Sequence, residues 1–245
     1  MSGAGGRADV FLVENGYAQS RGEAQAAIHA GRVSIDGKVL LKPSQTVKGG
    51  DVKFEKAHPY VSRGALKLAA ALDRFELSPD GLTCADIGAS TGGFTDVLLE
   101  RGAAKVYAID VGHSQLHAKL RRDPRVISRD GVNARDLNTT HVPEPFQAIT
   151  ADVSFIGLRL ALPPALAMAS VGAWLVALVK PQFEVGRFAL GKGGIVRDED
   201  AQQAALADMT KWLSSVDGWS VLGTMESPIQ GGDGNREFLL AARKS

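Results

Sequence analysis

Four charged residues from distant parts of the chain carry the candidate chemistry: Lys67, Asp152, Lys180 and Glu237. Asp152 and Lys180 each follow an apolar run that reads as a strand, Phe146 to Ala151 and Ala173 to Val179. They therefore fall at strand carboxyl ends, where open α/β sheets bind ligands. Glu237 follows a turn-rich loop into the last predicted strand, Arg236 to Ala241. Two amines and two carboxylates suit methyl transfer to a ribose hydroxyl. A 2′-OH is a poor nucleophile, so a base must take its proton as the carbon–oxygen bond forms. A lysine does this once a nearby cation and partial burial favour its neutral form. Lys180 is the candidate base and Lys67 the candidate second cation, with Asp152 and Glu237 holding both amines. A sulfonium donor leaves the protein only alignment and deprotonation, and no metal is required. His113 and His117 lie on one helix turn without a visible third ligand. For four arbitrary charges, two ordinary ion pairs are the simpler explanation; the surrounding segments change that balance.

The first such segment is Ala85-Asp86-Ile87-Gly88-Ala89-Ser90-Thr91-Gly92-Gly93-Phe94-Thr95. It follows a predicted strand (Leu82 to Ala85) and opens a predicted helix (Phe94 to Arg101). A second strand, Ala104 to Ile109, ends in Asp110, 24 positions after Asp86. Strand, glycine-rich turn, helix, strand and acid form the layout of a nucleotide-type site. Asp110 suits the two hydroxyls of a ribose. The spacing G-x-x-x-G-G departs from the dinucleotide fingerprint, which serves a pyrophosphate at a helix N-terminus. S-adenosylmethionine has no pyrophosphate and needs only a close backbone shelf, here Gly88, Ser90, Gly92, Gly93 and Phe94. Asp86 is expected to orient the loop or to meet the cationic end of the ligand. A tight turn without a ligand is the bland alternative, and Asp110 favours the cofactor. After the next helix (Leu116 to Arg122) and strand (Arg125 to Ser128), Asp130 or Asn133 is placed to reach the adenine, or to cap a turn.

The chain has 245 residues, 44% hydrophobic and 22% charged, with a net charge of +1. These values suit one large globular domain and a small second one. They announce no global field for nucleic acid. Cys84 is the single cysteine, which excludes an internal disulfide and suits a reducing compartment, and no apolar signal core opens the chain. A cytoplasmic monomer is expected. Leu160 to Val179 lacks charge and is about long enough to span a membrane. Pro163-Pro164 and the turn Ser170-Val171-Gly172 divide it instead into a helix (Ile156 to Ala169) and a strand from Ala173.

Residues 7–56 read as a separate module. Val10, Leu12 and Val13 begin an apolar helix face. Ser20 and Glu23 form a capping box for a helix to His29, stopped at Gly31. Asp36-Gly37 joins Val33-Ser34-Ile35 to Lys38-Val39-Leu40 in a hairpin, and Val52-Lys53-Phe54 adds a strand. On Arg7-x-Asp9, Leu12-Val13, Gly16, Ser20-Arg21, Ala24, Ile28, Gly31-x-Val33 and Asp36-Gly37, this stretch resembles the S4 RNA-binding domain. Residues 1–60 carry eight Lys and Arg against six Asp and Glu, which alone leaves a plain solvated face as the better reading. The resemblance reverses it and makes Arg7, Arg21, Arg32, Lys38, Lys42 and Lys48, with Arg63, candidates for RNA phosphates. Residues 57–60 form the linker, and a second domain is expected over 61–245. Its first helix is spaced by Ala65, Leu68, Ala69, Leu72 and Phe75.

Strands and helices alternate from Leu82 onward and give seven strands of a doubly wound α/β sheet. A glycine-rich loop, Gly191 to Asp198, is expected to be exposed and mobile beside the crevice. A helix (Asp198 to Leu213) and a strand (Trp219 to Met225) follow. Ser62-Arg63-Gly64-x-Leu66-Lys67-Leu68, the Asp86 to Asp96 loop, Asp152-Val153-Ser154-Phe155-Ile156, Val179-Lys180-Pro181-Gln182-Phe183-Glu184, Gly191 to Asp198 and Gly234-Asn235-x-Glu237-Phe238 together resemble the TlyA family, also called hemolysin-A-like proteins. Ala65 departs from the second glycine of many members and suits a helix start. The resemblance implies an S4 domain followed by a Rossmann-like, FtsJ-like methyltransferase domain. It implies S-adenosylmethionine as donor and 2′-O-methylation of a cytidine in ribosomal RNA, free or in a subunit. It places the catalytic set on Lys67, Asp152, Lys180 and Glu237. The chain ends soon after the last strand, which leans toward the form that modifies the large subunit. A membrane-active hemolysin, a non-catalytic rRNA-binding protein and a small-molecule methyltransferase are the competing readings.

Overall fold

The computed structural model describes residues 5–185, 191–231 and 234–245. They form two compact units divided between Arg63 and Gly64.

The first unit contains β1 (Gly6–Arg7), α1 (Ala8–Glu14), α2 (Arg21–His29), β2 (Val33–Ile35), β3 (Lys38–Val39), β4 (Thr46–Val47) and β5 (Val52–Phe54). Ser20 Oγ accepts from the Glu23 amide at 3.2 Å and so starts α2. The Glu23 carboxylate accepts from the Gln19 amide at 2.6 Å, one residue short of the reciprocal bond a capping box implies. Asp36 and Gly37 take φ of 50° and 76°, the left-handed pair that turns a two-residue hairpin with the twist of its strands. β1 and β4 pair antiparallel, and at two residues each they are too short to leave a periodic signal. Leu12, Ala24, Ala27, Ile28, Val33 and Leu40 build a core of this unit's own.

The second unit contains α3 (Ala65–Phe75), β6 (Thr83–Ile87), α4 (Gly93–Glu100), β7 (Lys105–Asp110), α5 (Ala118–Arg121), β8 (Val126–Asp130), β9 (Phe146–Ala151), α6 (Leu158–Ala161), α7 (Pro163–Ala167), β10 (Ala169–Val179), α8 (Pro181–Glu184), α9 (Glu199–Ser214), β11 (Trp219–Glu226) and β12 (Phe238–Lys244). Seven strands form one sheet in the order β11-β12-β10-β9-β6-β7-β8. β12 runs antiparallel to β10 and β11, and the other pairs are parallel. This is a Rossmann-like sheet with one antiparallel strand, β12, inserted near its edge. The apolar runs of β9 and β10 are buried because helices cover both faces of a parallel sheet.

Two local expectations fail. The helix predicted over 156–169 is two short ones, α6 and α7. Pro163 starts the second, having no amide hydrogen with which to continue the first. β10 begins at Ala169 rather than Ala173, and the predicted turn at 170–172 is a register irregularity between Ala169 and Trp174, with Gly172 at φ 81°.

Candidate active site at the carboxyl edge of the sheet

The strand order reverses between β6 and β9, which makes their carboxyl ends the switch point of the sheet. Gly88 leaves β6 there and Asp152 leaves β9. The Asp152 amide donates to the Ile87 carbonyl at 2.9 Å. A cleft of about 960 Å³ opens at this point, walled by Gly88, Ser90, Asp110, Asn133, Asp152 and Ser154 among others. Gly88 takes φ 82°, and a Cβ on it would stand 2.6 Å from the Asp152 carbonyl oxygen. The glycine is thus required by the neighbouring strand end. A close approach to ligand is a second consequence of the same turn.

Asp110 is the central acceptor of the cleft. Its Oδ2 accepts from the Ser90 amide at 2.8 Å and its Oδ1 from the Gly112 amide at 2.7 Å. These bonds tie the glycine loop to the end of β7 and leave lone pairs of the carboxylate for a ligand. Asn133 also lines the cleft; its Oδ1 accepts from the Arg135 amide at 3.1 Å and caps a short 3-10 turn, Ala134–Asp136. Asp130 lines a small pocket that adjoins the cleft and shares Ser90 and Asp110 with it. It accepts from Ser128 Oγ at 2.6 Å and from the Ser114 amide at 2.8 Å, and the Ser128 bond holds its carboxyl below the usual range. Gly92, Gly93 and Phe94 lie behind the cleft. A Cβ on Gly92 would meet Leu116 and Leu120 methyls at 2.7 and 2.2 Å, and Gly93 and Phe94 are buried in α4.

Asp86 takes the loop-orienting place. It is fully buried. Its Oδ2 accepts from the Thr95 amide at 2.9 Å and from Thr95 Oγ1 at 2.7 Å. Its Oδ1 accepts from Thr150 Oγ1 at 3.2 Å. The carboxyl thus clamps the first turn of α4 to β9. Burial pushes it up to about 7, against the pull of the threonine bonds. A carboxyl raised on folding binds its proton more tightly in the native state, so its effect on stability is most favourable below the unfolded value near pH 4. Stability then falls as pH rises from about 4 to about 7. Asp86→Asn removes that slope, because an amide does not titrate, while it keeps an acceptor for Thr95 and offers a donor to Thr150. Urea unfolding at pH 5 and pH 7 measures it, and equal pH dependence in both proteins would contradict the buried proton.

The four charges resolve into two pairs. Lys180 Nζ lies 2.6 Å from Asp152 Oδ1 and 2.8 Å from Ser154 Oγ. Lys67 Nζ donates to Glu237 Oε2 at 2.5 Å. In the β10–β12 register Val179 faces Phe238, so Lys180 and Glu237 emerge side by side from adjacent strands. Both lysines are buried, as is Glu237, while Asp152 keeps 25% of its side chain exposed. Phe155, at φ 65° and 92% exposed, stands at the mouth of the cleft with its ring centroid 5.3 Å from that of Phe183. The Glu184 carboxylate, raised by burial, accepts from the Leu158 amide at 2.9 Å and ties the loop after β9 to that after β10.

The loop at 191–198 is exposed at Gly191, Gly193, Arg197 and Asp198, as expected, and buried at Val196. Gly191 and Lys192–Gly194 form a short 3-10 turn. Asn235, itself buried, accepts from the Val196 amide at 3.0 Å and donates to the Gly194 carbonyl at 3.3 Å. Gln202 Nε2 donates to the Val196 carbonyl at 2.7 Å. This part of the loop is pinned to the segment that carries Glu237. Thr95, Thr150, Ser154, Gln202 and Asn235 escaped assignment from the sequence. The detectable signals were a hydroxyl inside the apolar run of β9 and an asparagine two positions before Glu237.

The FtsJ-like methyltransferase family matches residues 60–244 and the S4 domain residues 6–53. The chain is 42% identical, over 240 residues, to the 16S/23S rRNA (cytidine-2′-O)-methyltransferase TlyA of Mycobacterium tuberculosis strain H37Rv, covering 97% of this chain and 89% of the relative. This chain belongs to the TlyA family of FtsJ-like methyltransferases. It is also similar to the 23S rRNA (cytidine-2′-O)-methyltransferase TlyA of Campylobacter jejuni strain 81-176, 40% identical over 74% of this chain and 69% of the relative. A solved structure from Streptococcus thermophilus, named for hemolysin, aligns with TM-score 0.77 at 42% identity over 99% of this chain and 89% of its own. The methyl donor of such a TlyA-family enzyme is S-adenosylmethionine. The donor set of the cleft fits it: the Asp110 carboxylate offers acceptors at the wall, and Val111, Val132 and Ala134 supply apolar surface.

Proposed function

We propose that the chain methylates the 2′-oxygen of a cytidine in ribosomal RNA, with large-subunit rRNA as substrate, free or assembled. The observation that carries this reading is the buried Lys180 amine held by Asp152 beside the cleft. The two TlyA relatives named above share the 23S cytidine in their names, which favours the large subunit.

In this reading Gly88, Ser90, Asp110 and Asn133 hold the adenosine part of the donor, and Asp86, Gly92, Gly93, Phe94 and Asp130 brace the loops. S-adenosylmethionine supplies a methyl group already activated on sulfur. Lys180 takes the 2′-OH proton on its neutral amine as the oxygen attacks. Asp152 holds that amine and stabilises the ammonium that results. Glu237 holds Lys67, which keeps a cation at the same sheet edge.

Arg7, Arg21, Arg32, Lys38, Lys42 and Arg63 are exposed and meet rRNA phosphates in this reading. Asp9, buried completely, accepts from Arg7 and Arg21 at 3.0 and 2.9 Å, and presents both guanidiniums half-exposed. Arg7→Ala and Arg21→Ala each weaken rRNA binding and reduce the salt slope by about 1 if each neutralises one phosphate. Filter binding at several salt concentrations reads this, and an unchanged slope removes the residue from the interface.

Among the described residues no helix is long and apolar enough to cross a membrane, and the uncharged 160–179 stretch is divided among α6, α7 and β10. A cytoplasmic location follows from an rRNA substrate. Mapping ribose methylation on rRNA from cells with and without the gene tests the proposal. An unchanged map would end it.

A further inference from the structure

Ser154 stands two residues beyond Asp152 in the loop that leaves β9. Its hydroxyl lines the cleft and accepts from Lys180 Nζ at 2.8 Å, while Asp152 Oδ1 lies 2.6 Å from the same nitrogen. The loop is anchored on both sides of it. The Val153 side chain is buried in the core, and the Leu158 amide is held by Glu184. Ser154 is itself exposed at the cleft, and its Oγ is the acceptor that this anchored loop presents to Lys180.

A neutral amine has two N–H bonds and one lone pair in tetrahedral directions. If Asp152 alone accepts, the amine turns about its Cε–Nζ bond, and the lone pair exchanges places with the second N–H. If two acceptors at different positions take both N–H bonds, the lone pair is confined to the remaining direction. We propose that Ser154 is a positioning residue which, with Asp152, aims the lone pair of neutral Lys180 at the target hydroxyl. The inference rests on the methyl-transfer reading above.

The step balances without a further reactant. The proton of the 2′-OH passes to Lys180 Nζ, the oxygen forms its bond to the methyl carbon, and the carbon–sulfur bond breaks with its electron pair left on sulfur. Lys180 ends as an ammonium whose three N–H bonds face Asp152, Ser154 and the new ether oxygen. Ser154 gains and loses no proton. It acts through geometry, and a loss of geometry at a base costs rate before it costs binding.

The test uses the purified full chain, S-adenosylmethionine and rRNA that the wild type methylates. Ser154→Ala is expected to lower kcat about 10- to 100-fold, with KM for S-adenosylmethionine, its calorimetric Kd and the melting temperature unchanged. Ser154→Thr, which keeps a hydroxyl at the same carbon, restores most of kcat. Wild-type kcat in Ser154→Ala overturns the proposal. So does an equal loss in the Ala and Thr variants, or a loss that follows KM or melting temperature. A wild-type chain that leaves rRNA unmethylated defeats the functional reading before any variant is compared, and this role with it.

Discussion

Lys180→Ala abolishes methyl transfer to rRNA and leaves S-adenosylmethionine binding intact. The two effects separate because different residues carry them. The donor cleft is walled by Gly88, Ser90, Asp110, Val132 and Asn133. Lys180 sits behind Asp152 and Ser154, with only 11% of its side chain exposed. Removing a general base costs about 10²- to 10⁴-fold in rate. Asp152, part-exposed, then passes from the ammonium to water without collapse of the fold. Lys180→Arg is the sharper variant. It keeps a cation beside Asp152 while a guanidinium stays protonated at neutral pH and accepts nothing. It is expected to be as inactive as the alanine variant. Transfer assays with labelled donor, paired with calorimetry, give both readouts. Substantial transfer by Lys180→Arg would reassign Lys180 to electrostatic support.

Gly88→Ala destabilises the second unit and also disables it. Any L-residue at φ 82° is held in a conformation that costs about 1–3 kcal/mol. Its Cβ would in addition lie 2.6 Å from the Asp152 carbonyl oxygen and 3.2 Å from Val153 Cα, all of it backbone. Relief requires the ends of β6 and β9 to part, where the Asp152 amide bonds to Ile87. The movement carries Asp152 away from Lys180. Gly172→Ala is the control, because Gly172 has φ 81° and open space around its Cβ position, and so suffers only the conformational cost. Thermal denaturation should rank wild type above Gly172→Ala and that above Gly88→Ala. Transfer should fall severely only in Gly88→Ala. Equal melting temperatures for the two variants would show that the β6–β9 contact yields easily.

The legible parts of this chain share a short range. Alternating apolar runs, the Asp36-Gly37 turn and the Ser20 cap declared themselves because each involves residues a few positions apart. The 156–169 stretch misled because its apolar content is continuous, and only the missing amide hydrogen of Pro163 divides it. The glycine-rich 191–198 loop shows its exposure in its composition, whereas its ties at Val196 do not show, because Asn235 and Gln202 lie far along the chain or in the next helix. Asp130 and Asn133 are alternatives in the sequence; in the fold Asn133 lines the main cleft, and Asp130 lines a small adjoining pocket with Ser90 and Asp110.

By itself the sequence determined the seven-stranded α/β class, the separate N-terminal module and the strand ends that carry Asp110, Asp152 and Lys180. Hydrophobic periodicity and turn chemistry are local, and they survive without knowledge of partners. Only the tertiary structure decided who meets whom. Lys67 pairs with Glu237, 170 positions away, because α3 packs against β12, and Lys180 pairs with Asp152 because the register of β9 with β10 brings those strand ends together. Asp86 became a buried clamp because Thr95 and Thr150 close over it from a helix and a neighbouring strand. Ser154 acquired its place by the same means: a hydroxyl has no assigned task in a sequence until the fold brings an amine to 2.8 Å from it.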